Sequence, residues 1–147
     1  MSVSIAPYCR RVNYYETDKM AIVHHSNYVR FMEEARLDYM SQAGMHYEDM
    51  ERQGIIMPVV SVECRYHLSL VFGDEMKIVT KLTTFNGVRA AYTYEIYRAE
   101  DNALAVSAKS EHCFLDEKSR RPVSLKRVLF EAYDAWRHLL DEVQDGK

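Results

Sequence analysis

The sequence predicts an α+β fold in which one long helix is wrapped by a curved antiparallel sheet and an amphipathic helix follows at the C-terminal end. Three observations predict it. Apolar residues recur at helical spacing from Tyr28 to Met40, strict alternation begins at Val60, and helical spacing returns from Leu125. With 147 residues, 48% of them hydrophobic, the chain is long enough to bury one core, so we expect a single domain over residues 1–147.

The long helix is predicted to follow a short first strand over residues 8–14 and an acidic loop. Ser26 or Asn27 is placed to cap the helix, because a side-chain oxygen there can accept an unpaired backbone N–H. Gly44 is a natural helix stop, and residues 46–53 are expected to add a further helical turn or two. The predicted buried face consists of Tyr28, Phe31, Met32, Ala35, Tyr39 and Met40, while Arg30, Glu33, Glu34, Arg36 and Asp38 lie mostly on the other side.

Four antiparallel strands are predicted downstream of this helix. Alternation over residues 60–72 indicates one long strand with a single buried face. A strand over residues 75–85 is followed by Asn86-Gly87, the strongest short hairpin signal in the chain, and by further strands over residues 88–97 and 103–115. The C-terminal helix is expected to bury Leu125, Val128, Leu129, Ala132, Tyr133, Trp136, Leu139, Leu140 and Val143.

Composition excludes several classes of protein. A net charge of −3 gives no electrostatic basis for nucleic-acid binding. No apolar run approaches the ~20 residues of a membrane span, and no signal peptide opens the chain, so a cytoplasmic protein without membrane insertion is expected. The three cysteines follow no metal or redox spacing, which is typical of reduced thiols.

The segment from Tyr14 to Met40 carries the residues that point to chemistry. Asp18 stands in the acidic loop, and after six intervening residues His25-Ser26-Asn27-Tyr28 leads into the helix, which continues through Glu34-Ala35-Arg36. This pattern resembles that of the 4-hydroxybenzoyl-CoA thioesterase family of hot-dog-fold acyl-CoA thioesterases. The match is nearest to the aspartate-loop branch that includes the Tol-Pal-associated short-chain enzymes. The downstream order of strands agrees with that family over nearly the whole chain.

The resemblance implies an architecture, a substrate and an assembly. It implies the hot-dog fold, in which the sheets of two subunits join edge to edge and the active sites lie at the dimer interface. A homodimer or homotetramer is therefore expected. The expected substrate is an acyl-CoA or acyl carrier protein thioester, which is hydrolysed without a metal or organic cofactor.

Thioester hydrolysis needs an activated oxygen and hydrogen-bond donors for the oxyanion. Asp18 is the candidate nucleophile or general base, and the sequence does not choose between the two roles. By resemblance, the backbone N–H of His25, rather than its ring, is expected to be the oxyanion donor; contact of the ring with the thioester, or orientation of Asp18 by the ring, stays open. Asn27 is expected either to cap the helix or to contact substrate, and Tyr28 either to line the acyl pocket or to pack in the core. Arg89, just after the hairpin, is the first candidate for binding the phosphates of CoA.

Two rival functions stay open at this level. A hydratase or dehydratase on the same fold also handles thioesters, although the familiar hydratase pattern of aspartate, proline and histidine is absent. A catalytically silent acyl-CoA binding module is favoured by Met20-Ala21, which stand where family members usually carry glycine. If the loop requires a positive φ there, either residue is strained. His24-His25 lacks the partner spacing of a metal site.

Overall fold

A five-stranded antiparallel sheet forms the framework of the protein in the computed structural model, which describes residues 4–145, with side chains described up to residue 141. The sheet runs in the order β1-β4-β5-β6-β3, and β2 pairs separately with β7. The seven strands are β1 (Tyr8–Arg11), β2 (Ile55–Ile56), β3 (Val59–Tyr66), β4 (Glu75–Phe85), β5 (Arg89–Arg98), β6 (Ala103–Cys113) and β7 (Leu115–Asp116). The helices are α1 (Asn27–Gln42), α2 (Tyr47–Arg52), α3 (Leu125–Val128) and α4 (Phe130–Asp145).

Helix α1 packs its apolar face on one side of this sheet, and the predicted α+β hot-dog fold is confirmed. All six residues of the predicted buried face are buried. Arg36, which was expected on the opposite side, is buried as well, because position 36 lies at the border of the apolar stripe facing β5 and β6. The predicted capping is wrong: neither Ser26 nor Asn27 makes a side-chain cap bond, and Ser26 has helical backbone angles.

Strand β3 departs most from the sequence prediction. It ends at Tyr66 instead of continuing to Phe72, and Val59, Val60 and Val62 are exposed, so a single buried face is wrong for this chain. The physical reason is position, because β3 is an edge strand whose one neighbour is β6. Among residues 4–145, no strand pairs with its outer backbone groups and its valines stay exposed, whereas Cys64 and Tyr66 contact α1 and the segment before it. The chain leaves the ladder at His67, where its N–H donates to Ala105 O at 2.7 Å.

The predicted hairpin joins β4 to β5 as expected. Asn86 accepts backbone N–H bonds from Val88 and Arg89 on its side-chain oxygen, and Gly87 takes the positive φ of 87° that an L side chain resists. Gly87 also lies against the ring of Tyr133, where a Cβ would come within 3.1 Å. This close approach brings the C-terminal helix onto the end of the sheet.

The C-terminal helical region is broken at Leu129 into α3 and α4. Trp136, fully buried, packs its ring 5.2 Å from the ring of Phe85 and 5.3 Å from that of Phe114. Most of the predicted stripe is buried or half-buried, but Val128 is exposed, because the break ends the first turn of helix just after it. The predicted burial of Val143 lies outside the described side chains. Among the described residues, no helix is long and apolar enough to cross a membrane.

Candidate active site

The acidic loop folds back on itself as a small hairpin between Thr17 and Val23, which form an isolated antiparallel bridge. Asp18 closes it through its backbone, donating to Ile22 O at 2.9 Å and accepting from the N–H of Ala21 at 2.9 Å. Its Oδ1 accepts the N–H of Met20 at 2.8 Å. Among the described residues, Oδ2 accepts no hydrogen bond, so one carboxylate oxygen fixes the side chain while the other is available.

The loop does adopt a positive φ where family members usually carry glycine. Ala21 has φ of 66°, in the left-handed region. That backbone costs an L residue roughly 1–2 kcal/mol, which the hydrogen bonds across the loop offset. The missing glycine therefore does not prevent the hairpin that holds Asp18.

A buried ion pair anchors the acidic loop to β1. Glu16, which is 6% exposed, accepts two hydrogen bonds from the Arg10 guanidinium at 2.7 and 2.8 Å and one from the N–H of Asn13 at 2.8 Å. Arg10 also contacts Glu34 of α1 at 3.2 Å and lies over the ring of Phe31, 4.4 Å from its centroid. Arg10 thus ties together β1, the loop and α1 with its charge neutralised.

The start of α1 is tied to the same loop by the backbone oxygen of Glu16. This oxygen accepts the N–H of His24 at 2.9 Å and the side-chain amide of Asn27 at 2.8 Å. The Asn27 side chain therefore contacts the loop carrying Asp18 and fixes the distance between that loop and the helix N-terminus. Because the amide nitrogen is the bonded atom, the Asn27 side-chain oxygen faces away from this contact.

His24 supplies the local cap that the sequence predicted for Ser26 or Asn27. Its Nδ1 accepts the N–H of Ser26 at 3.2 Å and lies 2.8 Å from the Ser26 hydroxyl. The rings of His24 and His25 stack at 4.2 Å. Within the part of the chain that the structure describes, no cluster of three or more His, Cys, Asp or Glu residues is arranged to hold a metal.

The backbone of His25 presents a donor at the start of α1. Its carbonyl oxygen accepts from the N–H of Tyr28 and from the Tyr66 hydroxyl, both at 3.3 Å. Its own N–H has no acceptor among residues 4–145. A helix N-terminus carries a partial positive charge, so this N–H is suited to an oxygen that becomes negative.

Asp18, His25 and Tyr28 line one open cavity of about 210 Å³. Tyr28 is both buried and part of this lining, and burial, partly offset by a bond to the backbone at Leu70, raises its pKa to about 12. Sequence reasoning placed Tyr66 only on a strand face and missed its role in the cavity. The full lining is Asp18, Met20, Ile22, Val23, His25, Tyr28, Tyr66, His67, Leu68 and Ser69.

Arg89 lies elsewhere, at the opposite end of the sheet. It pairs with Cys113 on β6, whereas Tyr66 of the Asp18 cavity pairs with Val106. Seven residues of strand separate these positions, roughly 23 Å. Arg89 and Lys109 line a second cavity of about 330 Å³ together with Asn86 and Glu111. One subunit therefore does not bring Arg89 to Asp18.

The chain matches a family model described as the thioesterase-like superfamily over residues 12–135. The putative acyl-CoA thioesterase YneP of Bacillus subtilis is 33% identical over 85% of this chain and 90% of its own. A putative esterase of Aquifex aeolicus is 33% identical over 84% of this chain and 94% of its own. The structure of DHNA-CoA thioesterase from Staphylococcus aureus superposes with a TM-score of 0.91 at 33% identity, covering 97% of this chain and 95% of that one.

This chain belongs to the thioesterase-like superfamily. It is a hot-dog thioester hydrolase, and the prediction of an acyl-CoA thioesterase is confirmed at the level of the family. The resemblance to the 4-hydroxybenzoyl-CoA thioesterases is confirmed to the same level, and specificity for that acyl group does not follow from it.

Proposed function

We propose that the protein hydrolyses an acyl-CoA thioester to the free acid and CoA in the cavity that Asp18 and His25 share. One observation carries this proposal. Asp18, whose Oδ2 accepts no hydrogen bond, and His25, whose backbone N–H has no acceptor within the described residues, line the same cavity next to the start of α1. An acyl transfer site needs this pair, because one group attacks or activates water while the other binds the oxyanion.

The loop and helix hold the two groups in place during the reaction. Oδ1 of Asp18 stays bonded to the N–H of Met20, and Oδ2 either attacks the thioester carbon or takes a proton from the attacking water. The His25 N–H binds the carbonyl oxygen as its negative charge grows. Asn27 keeps the loop and the helix at a fixed distance, and the Tyr28 ring forms a wall against which the acyl group packs.

We further propose a homodimer that pairs β3 of one subunit with β3 of the other. The exposed valines and unpaired outer backbone of β3 support this, since open sheet edges invite such pairing. In an antiparallel pair, the Tyr66 end of one β3 lies beside the Val59 end of the other. Val59 pairs with His112, next to the Arg89 cavity. Arg89 of the second copy could then meet the phosphates of CoA bound at Asp18.

A panel of thioesters tests the reaction. It contains short, long and aromatic acyl-CoAs, including 1,4-dihydroxy-2-naphthoyl-CoA, because a hydrolase of that compound from Thermosynechococcus vestitus is 25% identical to this chain. The same acyl groups on acyl carrier protein test the carrier. We expect release of free thiol from at least one substrate. A change in enoyl absorbance without thiol indicates a hydratase, and binding without either change indicates a silent module.

The role of the His25 backbone is tested by removing its ring. If the N–H alone binds the oxyanion, His25→Ala retains most of kcat and mainly changes KM. Loss of turnover in a folded His25→Ala protein would show that the ring takes part in the chemistry.

The assembly is tested by light scattering at micromolar concentration. We expect at least a dimer, and a stable monomer would contradict both the β3 pairing and the shared binding of CoA. Arg89→Ala provides a matched functional test, since it should raise KM for acyl-CoA and leave kcat nearly unchanged.

A further inference from the structure

Arg36 is a buried cation without a counter-ion. It is 9% exposed, and within the described residues its guanidinium makes one hydrogen bond, to the Tyr94 hydroxyl at 3.1 Å, and no ion pair. A guanidinium carries five N–H donors and keeps its charge at any physiological pH. Burying such a group without an anion costs several kcal/mol. Within residues 4–145, the buried guanidinium of Arg36 therefore has N–H donors without an acceptor.

The groups around Arg36 do not supply that acceptor. The Tyr94 hydroxyl lies 2.6 Å from Ser110 Oγ, which lies 2.8 Å from Nε2 of His112. All three are neutral, since burial and the nearby charge of Arg36 lower the pKa of His112 to about 4. The chain of hydrogen bonds is thus polar but carries no negative charge.

The polar chain lies beside a partly exposed stretch of β3 that leads toward Tyr66, which lines the Asp18 cavity. Val62 pairs with Ser110, so its side chain is on the side of the sheet that faces α1, and it is 39% exposed. Cys64, in contact with Met32 of α1, and then Tyr66 follow on the same side. We call this stretch, bounded by Val62, Cys64 and Tyr66 on β3 and by Met32 and Arg36 on α1, the β3–α1 groove. From Val62 to Tyr66 the strand rises by four residue steps, roughly 13 Å.

We propose that Arg36 binds a carboxylate at the far end of the acyl group, which makes ω-carboxyl acyl-CoA thioesters the preferred substrates. The inference rests on the proposed hydrolysis at Asp18 and adds the class of acyl group. With the thioester carbonyl at Asp18 and His25, the acyl chain passes Tyr28 and Tyr66 and runs along the β3–α1 groove. Its terminal carboxylate then meets the remaining donors of Arg36 in a charge-assisted contact.

A carboxylate from a second copy of the chain is the main rival for this site. Glu33, exposed one turn before Arg36 on α1, is the nearest candidate on that side of the helix. Arg36, however, reaches inward to Tyr94 on β5, the central strand of the sheet. A carboxylate on a neighbouring helix would have to enter the interior as deeply as that, whereas a slender acyl chain reaches it along the groove.

The test compares matched substrates in wild type, Arg36→Met and Arg36→Lys. Hexanedioyl-, octanedioyl- and decanedioyl-CoA are each paired with the monoacid of the same length. We expect wild type to favour one diacid over its monoacid partner by at least ~10-fold in kcat/KM. Arg36→Met should lower kcat/KM for that diacid by ~10–100-fold, leave the monoacid nearly unchanged, and be partly rescued by Arg36→Lys.

Two results would overturn the assignment. An equal loss for diacid and monoacid, or dissociation of the oligomer in Arg36→Met, assigns Arg36 to structure or to the interface. No preference in wild type for any diacid also excludes the carboxylate site, while thiol release from other thioesters would leave the proposed hydrolysis intact.

Binding of the free acids tests the site without turnover and without a variant. Octanedioate should raise the melting temperature of wild type more than octanoate does at equal concentration. Equal shifts contradict the proposal even if the enzyme is inactive on the whole panel. A larger shift for octanedioate together with an inactive panel would support the anion site and refute hydrolysis.

Discussion

Arg10 and Arg36 flank the same helix and are both withdrawn from solvent, yet among the described residues only Arg10 contacts a carboxylate. Arg10 contacts Glu16 and Glu34 and lies over Phe31. Arg36 contacts a tyrosine hydroxyl. The first arginine lies on the side of α1 facing β1, and the second on the side facing β5 and β6.

The difference separates a structural cation from one that is available to a ligand. The charge of Arg10 is neutralised where the acidic loop must be held against α1, so its bonds define the geometry of Asp18 and His25. Within residues 4–145, the charge of Arg36 has no carboxylate partner, and it lies beside the β3–α1 groove. A buried pair that loses one partner is strongly destabilised, whereas replacing an unpaired buried charge by an apolar side chain removes its desolvation cost.

The largest contrast is expected between Arg10→Met and Arg36→Met in unfolding by urea. Arg10→Met leaves Glu16 buried without its cation and should cost about 3–5 kcal/mol. Arg36→Met removes an unpaired buried charge and should leave stability unchanged or raise it, since Tyr94 keeps its bond to Ser110. Equal costs for both variants would remove the distinction between the two arginines.

A second contrast comes from pH, because His112 lies at the end of the polar chain from Arg36. Its pKa falls from 6.5 to about 4, through burial first and the charge of Arg36 second. Below pH 6.5 the His112 side chain is therefore protonated in the unfolded chain, whereas in the folded protein it stays neutral down to about pH 4. This contribution to the free energy of unfolding is fully present above pH 6.5, and about 3 kcal/mol of it is lost as the pH falls to about 4.

Arg36→Met should raise the pKa of His112 and therefore reduce the loss of folding stability at low pH. The measurement is urea unfolding of wild type and Arg36→Met between pH 4 and pH 7, a range set by the His112 pKa values. The difference between the two curves isolates the coupling, since other titrating groups are common to both. Parallel curves would show that Arg36 and His112 are not coupled.

The smallest difference in stability is expected between variants of the two glutamates that contact Arg10. Glu16 is buried and Glu34 is partly exposed, with 7% and 41% of their side chains accessible. Glu16→Gln should cost about 2 kcal/mol and lower kcat, because Glu16 anchors the loop that carries Asp18. Glu34→Gln, measured beside it, should cost less than about 1 kcal/mol. Reversed costs would place the anchor at Glu34.

The sequence predicted elements whose environment is local. The strand over residues 75–85 and the hairpin at Asn86-Gly87 form as expected, because alternation and turn chemistry are encoded within the segment. The apolar face of α1 was predicted for the same reason. The contacts of Asp18, His25 and Tyr28 with one cavity agree with the spacing of the motif.

What the sequence did not predict depends on distant partners. Alternation in β3 implied a buried face, but an edge strand is covered only by whatever pairs with it. Ser26 and Asn27 are good capping residues, yet His24 bonds the N–H of Ser26 and Asn27 reaches back to Glu16. Arg36 was assigned to the exposed side, and its burial follows from Tyr94, 58 positions away.

The most direct measurement of the central claim is thiol release by Asp18→Asn beside wild type on the best acyl-CoA of the panel. Asparagine keeps Oδ1 and can still accept the N–H of Met20, so the loop should keep its shape. Asp134→Asn on α4 serves as a control for loss of one negative charge. If Asp18 attacks the thioester or activates water, kcat falls at least ~100-fold with KM little changed. Equal thiol release by a folded Asp18→Asn protein would remove Asp18 from the mechanism.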